Sequence, residues 1–147
     1  ATMKIFKQVI SLIILSSLIL SCSDVWQKKE AKLETSEIES LARIKLPPSN
    51  QNIQVHNESG IDKLILIRLV LNKKDLNSFL KNAGYVKPLK QGFRPFTSEE
   101  FENIAWWNPD DTTEVMGGFL NTQKWASEIM VDISSPNPVI YFKTHDL

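Results

Sequence analysis

The stretch Ile61-Asp62-Lys63-Leu64-Ile65-Leu66-Ile67-Arg68-Leu69-Val70-Leu71 decides how the rest of the chain is read. It is nearly continuous in Ile, Leu and Val, with Lys63 and Arg68 among its interior charges, and reads as a central strand over 61–71. Asn72 follows as a helix cap with Asp75 three residues on, a near variant of the capping box. Leu76, Phe79, Leu80 and Ala83 then share one helical face, and Gly84 supplies a left-handed stop. A buried strand that runs straight into an amphipathic helix sets the fold class as mixed α and β.

Upstream, Asn52 to Val55 reads as a strand, joined to the central one by a loop at Asn57-Glu58-Ser59-Gly60. Pro47-Pro48 must stop any helix before it, so the globular domain is expected to start near residue 44. Ser36 with Glu39 is a capping box for a short helix carrying Ile38, Leu41 and Ala42. That helix falls in a charge-mixed stretch, residues 22–43, which reads as a polar tether.

Downstream, residues 85–96 hold Pro88, Gly92 and Pro95 and read as an irregular connection. Thr97 with Glu100 forms another capping box and opens a helix with Phe101, Ile104 and Ala105, ending at Trp106-Trp107 before Pro109. Three strands are expected after it, over 114–120, 125–133 and 139–143. Gly117-Gly118 in the first marks a bulge or a close approach. The last two form a hairpin across 134–138. The expected architecture for residues 44–147 is α+β: an antiparallel sheet of about five strands with two helices on one face.

The N-terminal part carries a different message. Lys4 and Lys7 precede twelve uncharged residues, Val9 to Leu20, and Met3 reads as the start, with two extra residues ahead of it. The apolar run is too short for the roughly 20 residues that cross a bilayer and suits a signal peptide. It ends in Ile19-Leu20-Ser21-Cys22, which closely resembles a bacterial lipobox. The resemblance implies diacylglyceryl transfer to the Cys22 thiol, cleavage after residue 21, palmitate or similar acylation, and anchoring in the cell envelope. Because Ser23 is not aspartate, it further implies the outer, periplasm-facing membrane of a two-membrane cell. Two or three acyl chains, at about 0.8 kcal/mol per buried methylene, make such an anchor stable.

Cys22 is the single cysteine. With it acylated, the mature 126 residues (147 − 21) have no disulfide, and folding rests on the core alone. Overall charge balances, 17 basic against 17 acidic residues. Residues 46–142 also resemble a group of small secreted bacterial proteins. The shared features are Leu46-Pro47-Pro48-Ser49, a strand with Asp62 and Arg68, Phe79-Leu80, Trp106-Trp107 with Pro109, and Ile140-Tyr141. That resemblance implies the fold and carries no activity.

Candidate chemistry is sparse. The two histidines, His56 and His145, have no serine in a glycine-flanked elbow to serve. Asn108, Asp110, Thr112 and Glu114 are spaced like the first half of a calcium loop, but its sixth and twelfth positions hold Thr113 and Phe119 instead of Gly and Glu. Nothing places Asp110 or Asp111 across a cleft from Glu114 as a glycosidase pair. No catalytic residue, metal ligand or cofactor is assigned, and no nucleic-acid partner is expected.

Two surface features remain. Eight basic residues fall between Lys63 and Arg94 against one acid, Asp75, whereas residues 95–123 hold six acids and no Lys or Arg. Either these regions neutralise one another, or Lys74, Lys81, Lys87 and Lys90 form a face for an anionic partner. Trp106 and Trp107, in an aromatic-rich stretch, belong either to the core or to a sugar-stacking surface. The expected function is a lipid-anchored, non-catalytic envelope module that binds a protein or glycan, with inhibitor or immunity roles included. The alternative is a small envelope hydrolase. An assembled cleft with a close carboxylate or histidine pair would speak for the hydrolase, and a charged patch or exposed Trp without one for the binding module.

Overall fold

The structure, a computed structural model, describes residues 32–147. The expected signal segment 3–21, Cys22 and the expected tether up to residue 31 lie outside the described residues. The folded unit runs from Leu33 to Leu147. In chain order it contains α1 (Thr35–Ala42), β1 (Gln51–Glu58), β2 (Leu64–Val70) and α2 (Leu76–Asn82), then β3 (Lys90–Gln91), β4 (Val115–Asn121), β5 (Trp125–Asp132) and β6 (Val139–Asp146). Short 3-10 turns occupy Lys73–Asp75, Glu99–Phe101 and Pro109–Asp111. Among the described residues no helix is long and apolar enough to cross a membrane.

All six strands form one antiparallel sheet in the order β1-β2-β6-β5-β4-β3. The count is six where about five were expected, because the segment read as irregular contributes β3 at the edge. β2 lies inside the sheet between β1 and β6, with Ile65, Leu66, Ile67 and Leu69 almost wholly buried. The strand expected over 61–71 begins only at Leu64; Ile61 is fully exposed in the preceding turn.

The nearly continuous apolar run of β2 follows from a sheet covered on both sides. Ile65, Ile67 and Leu69 join Ile129, Val131, Ile140 and Phe142 on one face, under Ile38 and Ala42 of α1 and Leu76 and Phe79 of α2. Leu66, Met130 and Tyr141 point the other way and pack against Phe96, Ile104 and Trp107. Successive strand residues alternate faces, so a strand buried on both faces is apolar nearly throughout; Arg68 is its one charge and donates to Tyr141 Oη. Complete burial of each Leu, Ile or Phe contributes about 1.5–3 kcal/mol.

The two helices that share a face are therefore α1 and α2, which corrects the expected pairing of 72–84 with 97–107. α1 had been assigned to the tether, yet Ile38 and Ala42 are 5% and 1% exposed in the core. Its expected capping box does not form. Glu34 stands at the cap without a side-chain bond, and Glu39 instead accepts from the Leu46 N–H at 2.8 Å and from Lys45 Nζ at 2.9 Å. The Lys45 bond, then the Leu46 N–H, hold the Glu39 carboxyl below its ordinary value. Arg43 ends α1 with a left-handed φ of 58°. Its guanidinium bonds Asp146 at 2.9 Å and lies over the Trp125 ring, tying the helix end to β5 and β6.

α2 ends as expected. Gly84 takes φ 91°, its N–H reaches the Lys81 carbonyl, and the Tyr85 N–H reaches that of Leu80, the two bonds of a Schellman stop. Its start differs, since Asn72 makes no side-chain cap and Asp75 accepts from Ser49 Oγ in the Pro47-Pro48 turn.

The helix expected over 97–107 is a second correction. Half of the capping box forms, from the Thr97 N–H to Glu100 Oε1 at 3.2 Å. The chain then winds through i→i+3 turns, Phe101 to Ser98, Ile104 to Phe101 and Trp107 to Ile104. The physical reason is the spacing of its apolar side chains. Residues three apart eclipse in a 3-10 turn but fall about 60° out of line in an α-helix, and Phe101, Ile104 and Trp107 must all meet one sheet face.

Candidate functional site

Among the described residues β4 is left without a neighbouring strand along part of its outer side, and the sequence explains why. β3 pairs with β4 through Lys90↔Gly117 and Gln91↔Met116. Extended by two residues, that register would set Pro88 opposite Phe119. Proline has no N–H to give to the ladder, and β3 ends after two residues. The Gly92 N–H bonds the Val115 carbonyl on this outer side, while the Glu114 carbonyl accepts from Ile133 on the inner side. Strand groups alternate sides, so the N–H and C=O of Phe119 and Asn121 point outward, away from β5.

Beside this edge lies a groove of about 620 Å³ between residues 85–90 and β4. Its apolar wall includes Val86, 81% exposed, and Phe119, 67% exposed. Phe93 closes one end with its ring 6.5 Å from that of Phe119. Lys87 and Lys90, both exposed, provide its charge. The floor depends on Gly117 and Gly118. A Cβ on Gly117 would overlap the Phe93 carbonyl, and one on Gly118 would come 2.8 Å from Leu89 Cδ2. Of the bulge or close approach expected of that pair, the structure has the close approach, with the register to β5 unbroken. Below the groove, Tyr85 Oη and Ser127 Oγ share a buried 2.9 Å hydrogen bond, and burial pushes the Tyr85 phenol above its usual value.

A second polar cluster sits on the sheet face opposite the helices. Lys143 Nζ lies 2.9 Å from Glu100 Oε2 and 2.8 Å from Glu128 Oε2. Burial alone would lower the lysine, but its hydrogen bonds to Glu128 and Glu100 outweigh that and hold it above its ordinary value. The two carboxylates are thus brought close, yet a cation sits between them. A hydrolase pair needs one carboxyl free to pass a proton to its substrate, whereas both of these are engaged by Lys143 Nζ. Nearby, Tyr141 Oη donates to Asn108 Oδ1 at 2.9 Å and accepts from Arg68 Nε at 3.2 Å.

Lys143→Met should remove about 1–2 kcal/mol of stability. The arm to Glu100, more than a third exposed, is screened, and most of the loss comes from Glu128. A base with a raised folded value contributes fully below its unfolded value of 10.5 and loses that contribution as pH rises through the folded one. The gap between wild type and variant in urea titrations should therefore stay constant from about pH 6 to 9 and narrow above about pH 10.5. A gap that narrows toward neutral pH would contradict the cluster.

Of the residues singled out from sequence, Lys87 and Lys90 meet at the groove. Lys74 and Lys81 are exposed on the 73–75 turn and α2, outside its lining. Trp107, also singled out as partner-binding, lies in the core. It is 2% exposed, with ring centroids of Phe96, Phe101, Trp106 and Tyr141 within 4.9–6.0 Å, because its place in the three-residue row turns it onto the sheet. Trp106 is half-buried at the edge of the same cluster.

Asp110 and Asp111 serve turns, accepting from the Ser98 N–H and from Asn108 Nδ2. Among the described residues no three His, Cys, Asp or Glu gather as a metal site. Nor does any ion pair there join the basic segment to the acidic one. Arg94 reaches that segment through uncharged oxygens, the carbonyls of Pro109 and Thr112 and Thr112 Oγ1. Phe119 and Val86 were missed from sequence; Pro88 and Gly117-Gly118 were the signals beside them. Comparison with protein-family models, with curated proteins and with solved structures finds no match.

Proposed function

We propose that this chain is a lipid-anchored protein of the cell envelope, held through Cys22, whose folded domain is a non-catalytic module that binds a partner. The observation that carries the binding role is the groove at the open β4 edge, with Phe119 and Val86 exposed beside Lys87 and Lys90. Exposed apolar side chains next to unpaired strand groups and uncompensated charge are the composition of a docking surface. A protein partner is favoured over a glycan, since Trp107, one of the two stacking candidates, is committed to the core. Inhibitor and immunity roles belong to this reading.

The anchor rests on the lipobox resemblance at Ile19 to Cys22. Cys22→Ala should move the protein out of the membrane fraction or leave its leader uncleaved, seen as a slower band on a gel. In a two-membrane cell, wild type should fractionate with the outer membrane. A variant that fractionates and migrates like wild type would end the lipoprotein reading.

The binding role is tested separately in cells that carry a photo-crosslinking amino acid at Phe119 or, as a control, at the exposed Asn77 on α2. A discrete adduct from position 119 and none from 77 is the expected result. The hydrolase alternative predicts cleared zones on a peptidoglycan gel that are lost in Glu128→Gln.

A further inference from the structure

Resting on that reading, we infer that the open edge of β4 takes an extended, acidic peptide segment of a partner protein as an added strand. Three observations converge on this occupant. The first is the pair of outward N–H and C=O groups at Phe119 and Asn121, exposed by the end of β3 opposite Pro88. Only another main chain satisfies such a row in register, which is how strand addition gains its affinity.

The second is the absence of edge protection in the open stretch itself. Sheet edges are ordinarily blunted by a charge, a proline or a bulge. Gly118-Phe119-Leu120-Asn121 has no charged residue or proline, and its register with β5 is unbroken, from Gly118↔Ile129 to Asn121↔Ala126. Phe119 presents an apolar ring to the added strand, and Val86 stands exposed across the groove.

The third is charge. Lys87 and Lys90 line the groove without a carboxylate partner among the described residues, and no acidic side chain lines it. This charge selects carboxylates on the incoming segment. It disfavours a second copy of this chain, which would bring the same lysines. An anionic lipid surface would satisfy the lysines and leave the main-chain groups of Phe119 and Asn121 unused.

The test uses the full chain, labelled with nitrogen-15, and a capped octapeptide of alternating valine and glutamate. Binding at low salt should slow hydrogen exchange at the Phe119 and Asn121 amides. Lys87→Glu with Lys90→Glu should weaken it about tenfold or more, with the effect shrinking as salt rises past the ~8 Å screening length of physiological buffer. The same octapeptide methylated on every main-chain nitrogen should fail to bind, as should a valine–lysine octapeptide.

No binding of the valine–glutamate peptide to the wild-type chain would overturn the proposal. So would equal binding by the fully N-methylated peptide, or shifts at Lys87 and Lys90 caused by phosphatidylglycerol vesicles and not by the peptide. These failures are separable from failure of the binding role. A Phe119 crosslink in cells without peptide binding in vitro removes strand addition and leaves the module, whereas loss of the crosslink removes both.

Discussion

Gly117→Ala is expected to remove about 3 kcal/mol or more of folding stability, a loss confined to substitutions with a named steric cause. The added Cβ would overlap the carbonyl oxygen of Phe93 and stand 3.1 Å from Pro95 Cδ. Neither neighbour is the free end of a flexible side chain. Relief requires moving the 93–95 backbone off β4 or shifting β4 against β5, which disturbs the ladder from Val115 to Asn121. Alanine would otherwise gain roughly 0.5–1 kcal/mol over glycine within a strand by lowering chain entropy, so the steric overlap decides the sign.

Two other glycines calibrate the effect. Gly118→Ala meets Leu89 Cδ2, a side-chain tip that can swing aside, and should lose about 1 kcal/mol. Gly60→Ala meets nothing within 4 Å and should leave stability unchanged within about 0.5 kcal/mol. Urea unfolding of the three variants gives the comparison directly, since midpoint shifts at constant slope report stability. Equal losses at 117 and 60 would mean that the 93–95 segment does not cross β4 as described.

The other large effect is expected at Trp107. Trp107→Ala should lose about 3–5 kcal/mol, a large part of the 5–15 kcal/mol that a domain of this kind has in all. Its ring is the hub of the cluster formed with Phe96, Phe101, Trp106 and Tyr141, and its removal leaves a cavity under a segment without α-helical bonding of its own. Trp107→Phe should be far milder. It leaves a smaller void, and it also removes the indole N–H, which is buried without a hydrogen-bond partner and carries a desolvation penalty of about 1–3 kcal/mol. A phenylalanine variant as unstable as the alanine one would show that the indole nitrogen has a partner. An alanine variant as stable as wild type would place the ring outside the core.

Much of this architecture was open to inspection in the chain itself, because it rests on local rules. The run Leu64 to Leu71 reads as an interior strand since every position is apolar except Arg68. Gly84 stops α2 because only the residue after a helix with a free left-handed φ completes that pair of bonds. Gly117-Gly118 announces a bulge or a close approach, since two missing side chains weaken a strand interior unless the backbone there has a special task. Pro88 stands in the sequence as a barrier to strand pairing, but which strand it spares becomes visible only once its register against Phe119 exists.

What the tertiary structure alone decided is how segments distant in sequence divide the two faces of the sheet. α1 looks like a piece of charged tether until Ile38 and Ala42 find the face already occupied by α2. The 97–107 segment has the caps and composition of a helix, yet Phe101, Ile104 and Trp107 meet the sheet in one row. That contact, absent from any local window, favours three residues per turn over 3.6. The groove arises in the same way, from an edge strand that ends early and a loop that crosses two glycines. Propensity and periodicity are properties of a few neighbouring residues, whereas the choice of face and the open edge depend on which distant surfaces must be kept from water.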